Sequence, residues 1–142
     1  VVSIYPISLT STEHQVVLKD GEKLFAMCAA DALGIPSMFD RNAAIASQCE
    51  WCKRKVTVEI QCGEIVSTSH LNILIWSPRQ QEAPAAETCC PLVNFFCCNE
   101  HLEEWKTKNP DLVERGHSTP LAQAYPRIRE CWKSYGEIVG MR

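Results

Sequence analysis

A cysteine and an aspartate stand three residues apart in an otherwise apolar stretch of the chain. The stretch covers residues 24–36, and Cys28 and Asp31 are its reactive side chains. Its alanine, methionine and leucine residues favour helix, so we predict a short helix that ends near Leu33, with Gly34 as its exit and a proline soon after. A three-residue spacing puts the thiol and the carboxylate on one helical face, within reach of each other.

The carboxylate of Asp31 is expensive to bury among apolar neighbours unless it has a partner. Its position therefore indicates either a hidden hydrogen-bond partner or a chemical task. The alternative is that Cys28 packs as a small core residue while Asp31 caps a neighbouring loop. Both interpretations are open from these residues alone.

Nine cysteines are the most unusual feature of the composition. The chain has 142 residues, of which 46% are hydrophobic and 22% charged, with a formal net charge of −3. This size suits one domain with its own core. An odd number of cysteines cannot all pair internally, and we recognise no secretory signal, so we expect mostly reduced thiols in a cytoplasmic protein. In that setting, surplus cysteines point to soft metals or thiol chemistry.

The distribution of charge and hydropathy argues against two classes of partner. Lysine and arginine are scattered along the chain, without the basic cluster that nucleic acid requires. No apolar run approaches the roughly 18 residues that span a bilayer. We therefore expect neither nucleic acid nor membrane as a partner.

A second pair of cysteines, Cys49 and Cys52, has the spacing of a metal knuckle. A closed zinc site needs four ligands. Cys62 could supply a third thiolate, whereas the adjacent Cys97 and Cys98 would point to opposite faces of a strand, a poor arrangement for joint chelation. The sequence leaves open a zinc site at Cys49 and Cys52 or a turn with packed thiols.

The strands that must position these groups are indicated by alternating hydrophobicity and by turn residues. Asp20-Gly21 predicts a hairpin between strands at residues 14–19 and 22–25. Residues 55–76 predict a three-stranded meander. A further apolar strand, residues 88–98, carries a vicinal cysteine pair at each end.

Two helices are predicted near the carboxyl end of the chain. The first begins at an Asn99 N-cap, and the second begins with Thr119 as its cap and ends at Gly136, with Cys131 in the core. The predicted fold class is α+β, with a central, mostly antiparallel mixed sheet packed by short helices. We expect a single domain over residues 1–142, in which residues 1–12 form an amino-terminal arm and residues 78–88 an exposed loop.

The order and spacing of these residues resemble the organomercurial (alkylmercury) lyase family. That family's motif of an aromatic residue, two residues, cysteine, two residues and aspartate, before an apolar run ending in proline, matches residues 25–36. Its later cysteine, five residues before a Phe-Phe pair, matches Cys90, although Cys89 could take that place. The resemblance covers about residues 17–135, and it implies an alkylmercury-lyase-like fold.

The resemblance also implies an activity. In that family R–Hg⁺ is cleaved by protonolysis to a hydrocarbon and Hg(II), which assigns mercury binding to Cys28 and Cys90 and proton relay to Asp31. No cofactor is implied, the substrate is a small organomercurial, and Hg(II) passes to thiols or to a mercuric reductase. This chain would be a compact form without the family's amino-terminal helical domain. The alternative is a non-catalytic binder or carrier of Hg, Cu or As on the same scaffold.

Overall fold

The structure, a computed structural model, describes residues 3–4, 6–79 and 93–140. The strands are β1 (Ser3–Ile4), β2 (Ile7–Ser8), β3 (His14–Leu18), β4 (Lys23–Ala26), β5 (Ala43–Gln48), β6 (Lys55–Gln61), β7 (Glu64–Thr68), β8 (Leu74–Pro78), β9 (Asn94–Phe96) and β10 (Gly116–Pro120). The helices are α1 (Ala29–Phe39), α2 (Asn99–Lys108), α3 (Pro110–Val113) and α4 (Leu121–Ile138). Within these ranges no helix is both long and apolar enough to cross a bilayer. The predicted α+β class is confirmed.

The larger sheet has seven antiparallel strands in the order β1-β2-β4-β3-β5-β6-β7. The predicted hairpin is its β3–β4 pair, in which the Gly21 N–H donates to the Leu18 carbonyl at 2.8 Å. Gly21 has φ of 92°, a left-handed conformation that costs glycine little. Strand β6 covers the alternating stretch as predicted, and its alternate residues are buried.

The smaller sheet contains three antiparallel strands in the order β10-β8-β9. The predicted meander is therefore wrong in its third strand, because β8 pairs with β9 and β10 and not with β7. Consecutive residues Ile75 and Trp76 of β8 are both buried, so this strand is covered on both faces. Strand β10 was not predicted, since its polar sequence shows no hydrophobic alternation.

The helix predicted to end near Leu33 begins and ends later. Residues before Ala29 form β4, and α1 continues through Gly34 and Pro36 to a left-handed C-cap at Asp40, with φ of 55°. Gly34 therefore lies inside the helix and does not end it. A Cβ at this position would overlap the Trp132 ring on α4, which explains why the residue is glycine. The glycine permits close approach of two helices.

A second glycine on α4 has the same role. Helix α4 was predicted to end at Gly136 but continues to Ile138, and a Cβ at Gly136 would overlap the Met38 carbonyl of α1. Helices α1 and α4 thus contact each other through one glycine from each side.

Three details near the carboxyl end also differ from expectation. Cys98 rather than Asn99 is the N-cap of α2, and Pro120 rather than Thr119 is the N-cap of α4. Cys131, predicted in the core, is exposed, because the next residue, Trp132, takes the inward position.

A buried histidine links β3 to β5. The side chain of His14 is 4% exposed, and its Nδ1 lies 2.7 Å from the Ser47 Oγ. Burial lowers the pKa of His14, while the Glu13 carboxylate, 3.7 Å from Nε2, acts in the opposite direction and is outweighed.

We expect the protein to lose stability as pH falls from 7.5 to 5.5. An unfolded histidine titrates near pH 6.5, and His14 titrates lower in the folded state. The unfolded chain therefore binds more protons below about pH 7, so stability rises with pH, by at most about 1.4 kcal/mol per pH unit for one proton. Urea midpoints at the two pH values measure this effect. The His14→Gln variant should show a smaller difference, and an unchanged one would contradict the assignment.

Candidate functional site

Cys28 lies at the amino terminus of α1, where it is the N-cap. Its backbone is extended, with φ of −155° and ψ of 176°, and its Sγ accepts a hydrogen bond from the Asp31 backbone N–H at 3.4 Å. The first turn of a helix presents unpaired N–H groups and a positive dipole end, which stabilise a thiolate. The two residues are close, as predicted, but Cys28 precedes the helix instead of sharing its face.

The side chain of Asp31 is 2% exposed and lies in the first turn of α1. Asp31 also lines a cleft of about 350 Å³ between α1, the smaller sheet and α4. Polar groups on the other walls of this cleft include Ser77, His117 and Arg127. A carboxylate bordering such a cleft can exchange protons with a molecule that enters it.

Cys89 and Cys90 lie outside the described residues, as do residues 80–88 of the predicted exposed loop. The described chain resumes at Val93, whose carbonyl accepts a hydrogen bond from the Ala29 N–H at 3.2 Å. Ala29 directly follows Cys28. The chain therefore returns beside the amino terminus of α1 three residues after Cys90.

A second group of potential ligands lies at the junction of the two sheets. Its members are Cys49, Cys52, Cys97 and His101, and their ligand atoms all lie within 4.8 Å of one another. The Sγ atoms of Cys52 and Cys97 are 3.7 Å apart, and the Cys97 Sγ lies 3.0 Å from the His101 Nδ1. This arrangement can hold a soft or borderline metal ion.

Backbone pairing determines where these ligands meet. The chain after β5 turns back on itself, with the Cys49 N–H donating to the Arg54 carbonyl at 2.9 Å and the Lys53 N–H donating to the Cys49 carbonyl at 3.0 Å. Cys49 also forms a parallel bridge with Phe95 of β9, and the Glu50 N–H donates to the Phe95 carbonyl at 2.9 Å. The Cys49 turn is thus joined to the strand that ends just before Cys97.

Burial and hydrogen bonds shift the pKa values of two thiols in the four-residue group. Burial raises the pKa of the Cys49 thiol, but hydrogen bonds to its sulfur outweigh burial, so its pKa lies below the ordinary value. The donors are the backbone N–H groups of Cys52, Cys97 and Trp51 and the Cys52 thiol. Burial, together with the neighbouring sulfurs, raises the pKa of Cys97. The pKa values of these two thiols are therefore shifted in opposite directions, and ionisation is favoured at Cys49.

The four-residue group includes one residue that the sequence pattern had argued against and one that it had missed. Cys97 is well placed, because β9 ends before it and strand alternation no longer fixes its direction. His101 follows it at the Cys-x₃-His spacing common in zinc sites, a signal present in the sequence. Cys62, the predicted third thiolate, is exposed in the β6–β7 turn and lies outside the group.

Comparison with known proteins gives a consistent result. The sequence model of the alkylmercury lyase family, MerB, matches residues 7–132. The chain is 26% identical over 108 residues to an alkylmercury lyase from Staphylococcus epidermidis, and 24% identical over 108 residues to one from Pseudomonas putida. Each match covers 75% of this chain and 50% of the relative, so the chain spans about half the length of these curated relatives.

The fold also matches a solved structure. The mercury-bound form of MerB2 superposes with a TM-score of 0.84 at 27% sequence identity. The match covers 95% of this chain and 64% of that one.

Proposed function

The chain belongs to the alkylmercury lyase family, and from this premise we propose that it cleaves carbon–mercury bonds by protonolysis, giving a hydrocarbon and Hg(II). The observation that carries the proposal is at the amino terminus of α1, where the thiol of the N-cap Cys28 lies beside the buried carboxylate of Asp31. Capture of a metal requires the thiol but has no need of the acid. The carboxylate therefore favours a reaction over simple binding.

Cys28 is proposed to bind the mercury of R–Hg⁺ first. Thiolate is a soft ligand, which suits a soft metal. The hydrogen bond from the Asp31 N–H and the dipole of α1 both favour the ionised sulfur.

Cys90 is proposed as the second mercury ligand, with Cys89 as the alternative one residue earlier. Its support is the family motif of a cysteine five residues before the Phe95-Phe96 pair. Chain length is compatible with this role, because three residues span at most about 10 Å. Val93, three residues after Cys90, is hydrogen-bonded to the residue that follows Cys28.

Asp31 is proposed to relay the proton. Its carboxylate takes the proton of the second thiol as that sulfur binds mercury, and two thiolates raise the electron density on the mercury-bound carbon. The C–Hg bond then breaks, its electron pair forms a C–H bond with the proton from Asp31, and R–H leaves. Hg(II) stays on the two sulfurs until external thiols or a mercuric reductase accept it. No redox partner is needed, since no atom changes oxidation state by electron transfer.

A headspace assay tests this proposal. The full chain is mixed with a phenylmercury or methylmercury salt and excess thiol, and release of benzene or methane is measured. We expect turnover by the unmodified protein and only the background of buffer thiols for Cys28→Ser. Cys62→Ser is the matched control, since its thiol is exposed in the β6–β7 turn and not at the amino terminus of α1. Turnover retained in Cys28→Ser would overturn the assignment.

A second candidate function is a non-catalytic carrier of a soft metal. The four-residue group Cys49, Cys52, Cys97 and His101 favours it, because the group offers thiols beyond those that a lyase uses. Stoichiometric mercury uptake without release of hydrocarbon in the same assay would select this function.

A further inference from the structure

We propose that Cys49, Cys52, Cys97 and His101 form a closed, tetrahedral Zn²⁺ site that fastens the two sheets together and is separate from the Cys28 site. The proposal does not depend on the lyase reaction. It rests on the positions of the four side chains, their chemistry and the elements that carry them.

The distances between ligand atoms suit tetrahedral coordination. At a Zn–S length of about 2.3 Å, two sulfurs of a tetrahedron lie about 3.8 Å apart. The Cys52 and Cys97 sulfurs are 3.7 Å apart. The Cys97 sulfur lies 3.0 Å from the His101 Nδ1, and this pair needs to separate by about 0.5 Å to reach zinc geometry. A small rotation of the His101 side chain, which is half-buried in the first turn of α2, provides this separation.

The donor set selects the class of metal. Three thiolates and one imidazole suit zinc and exclude the oxygen-seeking ions Mg²⁺ and Ca²⁺. The Cys-x₂-Cys and Cys-x₃-His spacings are those of structural zinc sites. Because the protein supplies all four ligands, no coordination position is left for a substrate, so the site is structural.

The surroundings of the site stabilise bound thiolates. Cys49 is 0% and Cys97 5% exposed, so the ion is shielded from water on that side. The Trp51 indole N–H, between the two cysteines of the turn, donates to the Glu104 carboxylate on α2 and holds the turn against that helix.

The ligands come from segments far apart in the sequence. Cys49 and Cys52 follow β5 of the larger sheet, whereas Cys97 follows β9 of the smaller sheet and His101 lies on α2. Without an ion, three contacts described above link these segments: the backbone bridge between Cys49 and Phe95, its adjoining hydrogen bond, and the hydrogen bond from Trp51 to Glu104. A bound ion would therefore fix β9 and α2 to the larger sheet.

Metal analysis of the full chain tests the proposal. The protein is purified with a non-thiol reductant from zinc-supplemented cells, and zinc is measured by mass spectrometry. We expect about one zinc per chain in the unmodified protein and in the controls Cys62→Ser and Cys28→Ser. We expect loss of zinc in Cys97→Ser and His101→Ala, and retention in His101→Cys, which restores a fourth soft ligand.

Cobalt substitution gives a readout that does not require zinc to survive purification. Co²⁺ added to the metal-free protein should give the intense visible bands of tetrahedral coordination and a thiolate charge-transfer band. Both should disappear in His101→Ala and return in His101→Cys. The proposal is overturned if the unmodified protein binds neither metal, if Cys28→Ser removes the bound metal, or if Cys97→Ser leaves it in place. A disulfide between Cys52 and Cys97, seen as a loss of two hydrogens by mass, would also overturn it.

Discussion

The Asp31→Asn variant is expected to bind mercury but to release hydrocarbon about 10²- to 10⁴-fold more slowly, the usual contribution of a positioned acid or base. Asparagine has the same shape as aspartate, so the buried first turn of α1 should tolerate the change. Its amide can neither take the proton of a thiol nor deliver one to carbon. Single-turnover release of benzene from a phenylmercury salt, measured beside mercury retention on the protein, separates the two effects.

The matched control is Asp111→Asn. Asp111 is likewise an acid in the first turn of a helix, α3, but it is exposed and does not line the cleft that borders Asp31. This variant should keep full turnover. Full turnover in Asp31→Asn would show that the proton comes from another group, while Cys28 could still bind mercury.

The Gly34→Ala variant is expected to lose about 3 kcal/mol of unfolding free energy, the upper end for overpacking a core. A Cβ at Gly34 would overlap the Trp132 ring, so α1 and α4 must move apart or the indole must leave its place. Helix propensity alone favours alanine over glycine by about 1 kcal/mol and would raise stability. A measured loss therefore reports the overlap with Trp132. Urea unfolding at neutral pH measures the change.

A double-mutant cycle with Trp132→Leu controls for other effects. If the overlap with the indole causes the loss, Gly34→Ala should cost much less in the Trp132→Leu background, with a coupling energy above about 1 kcal/mol. Additive losses in the double variant would contradict the explanation. The cycle also tests whether the glycine is present for helix contact, as opposed to helix termination.

Local signals in the sequence were sufficient where neighbouring residues decide the structure. The alternation in residues 55–61 predicted β6 because one face of that strand is buried and the other is not. The Asp20-Gly21 pair predicted the β3–β4 hairpin because the left-handed turn needs glycine. The three-residue spacing of Cys28 and Asp31 likewise indicated that the two lie together, since a single helical turn joins them.

Features that depend on distant contacts could not be predicted from the same signals. Glycine is common at helix ends, but here Gly34 faces the Trp132 ring and Gly136 faces the Met38 backbone carbonyl of the other helix. The strands that pair with β8 are determined by how the two sheets pack, and the residues of β8 alone do not show this. His101 stands at a Cys-x₃-His spacing that the sequence shows, but the sequence does not show that α2 meets the turn at Cys49.

The contact between α1 and α4 also sets an order of events during protein synthesis. Helix α4 begins about 80 residues after α1 ends, and ribosomes add roughly 5–20 residues per second. The segment with Cys28 is therefore made several seconds before the helix that packs against it is complete. During this interval the face of α1 that carries Gly34 has no α4 to cover it, so the contact between the two helices forms only near the end of synthesis.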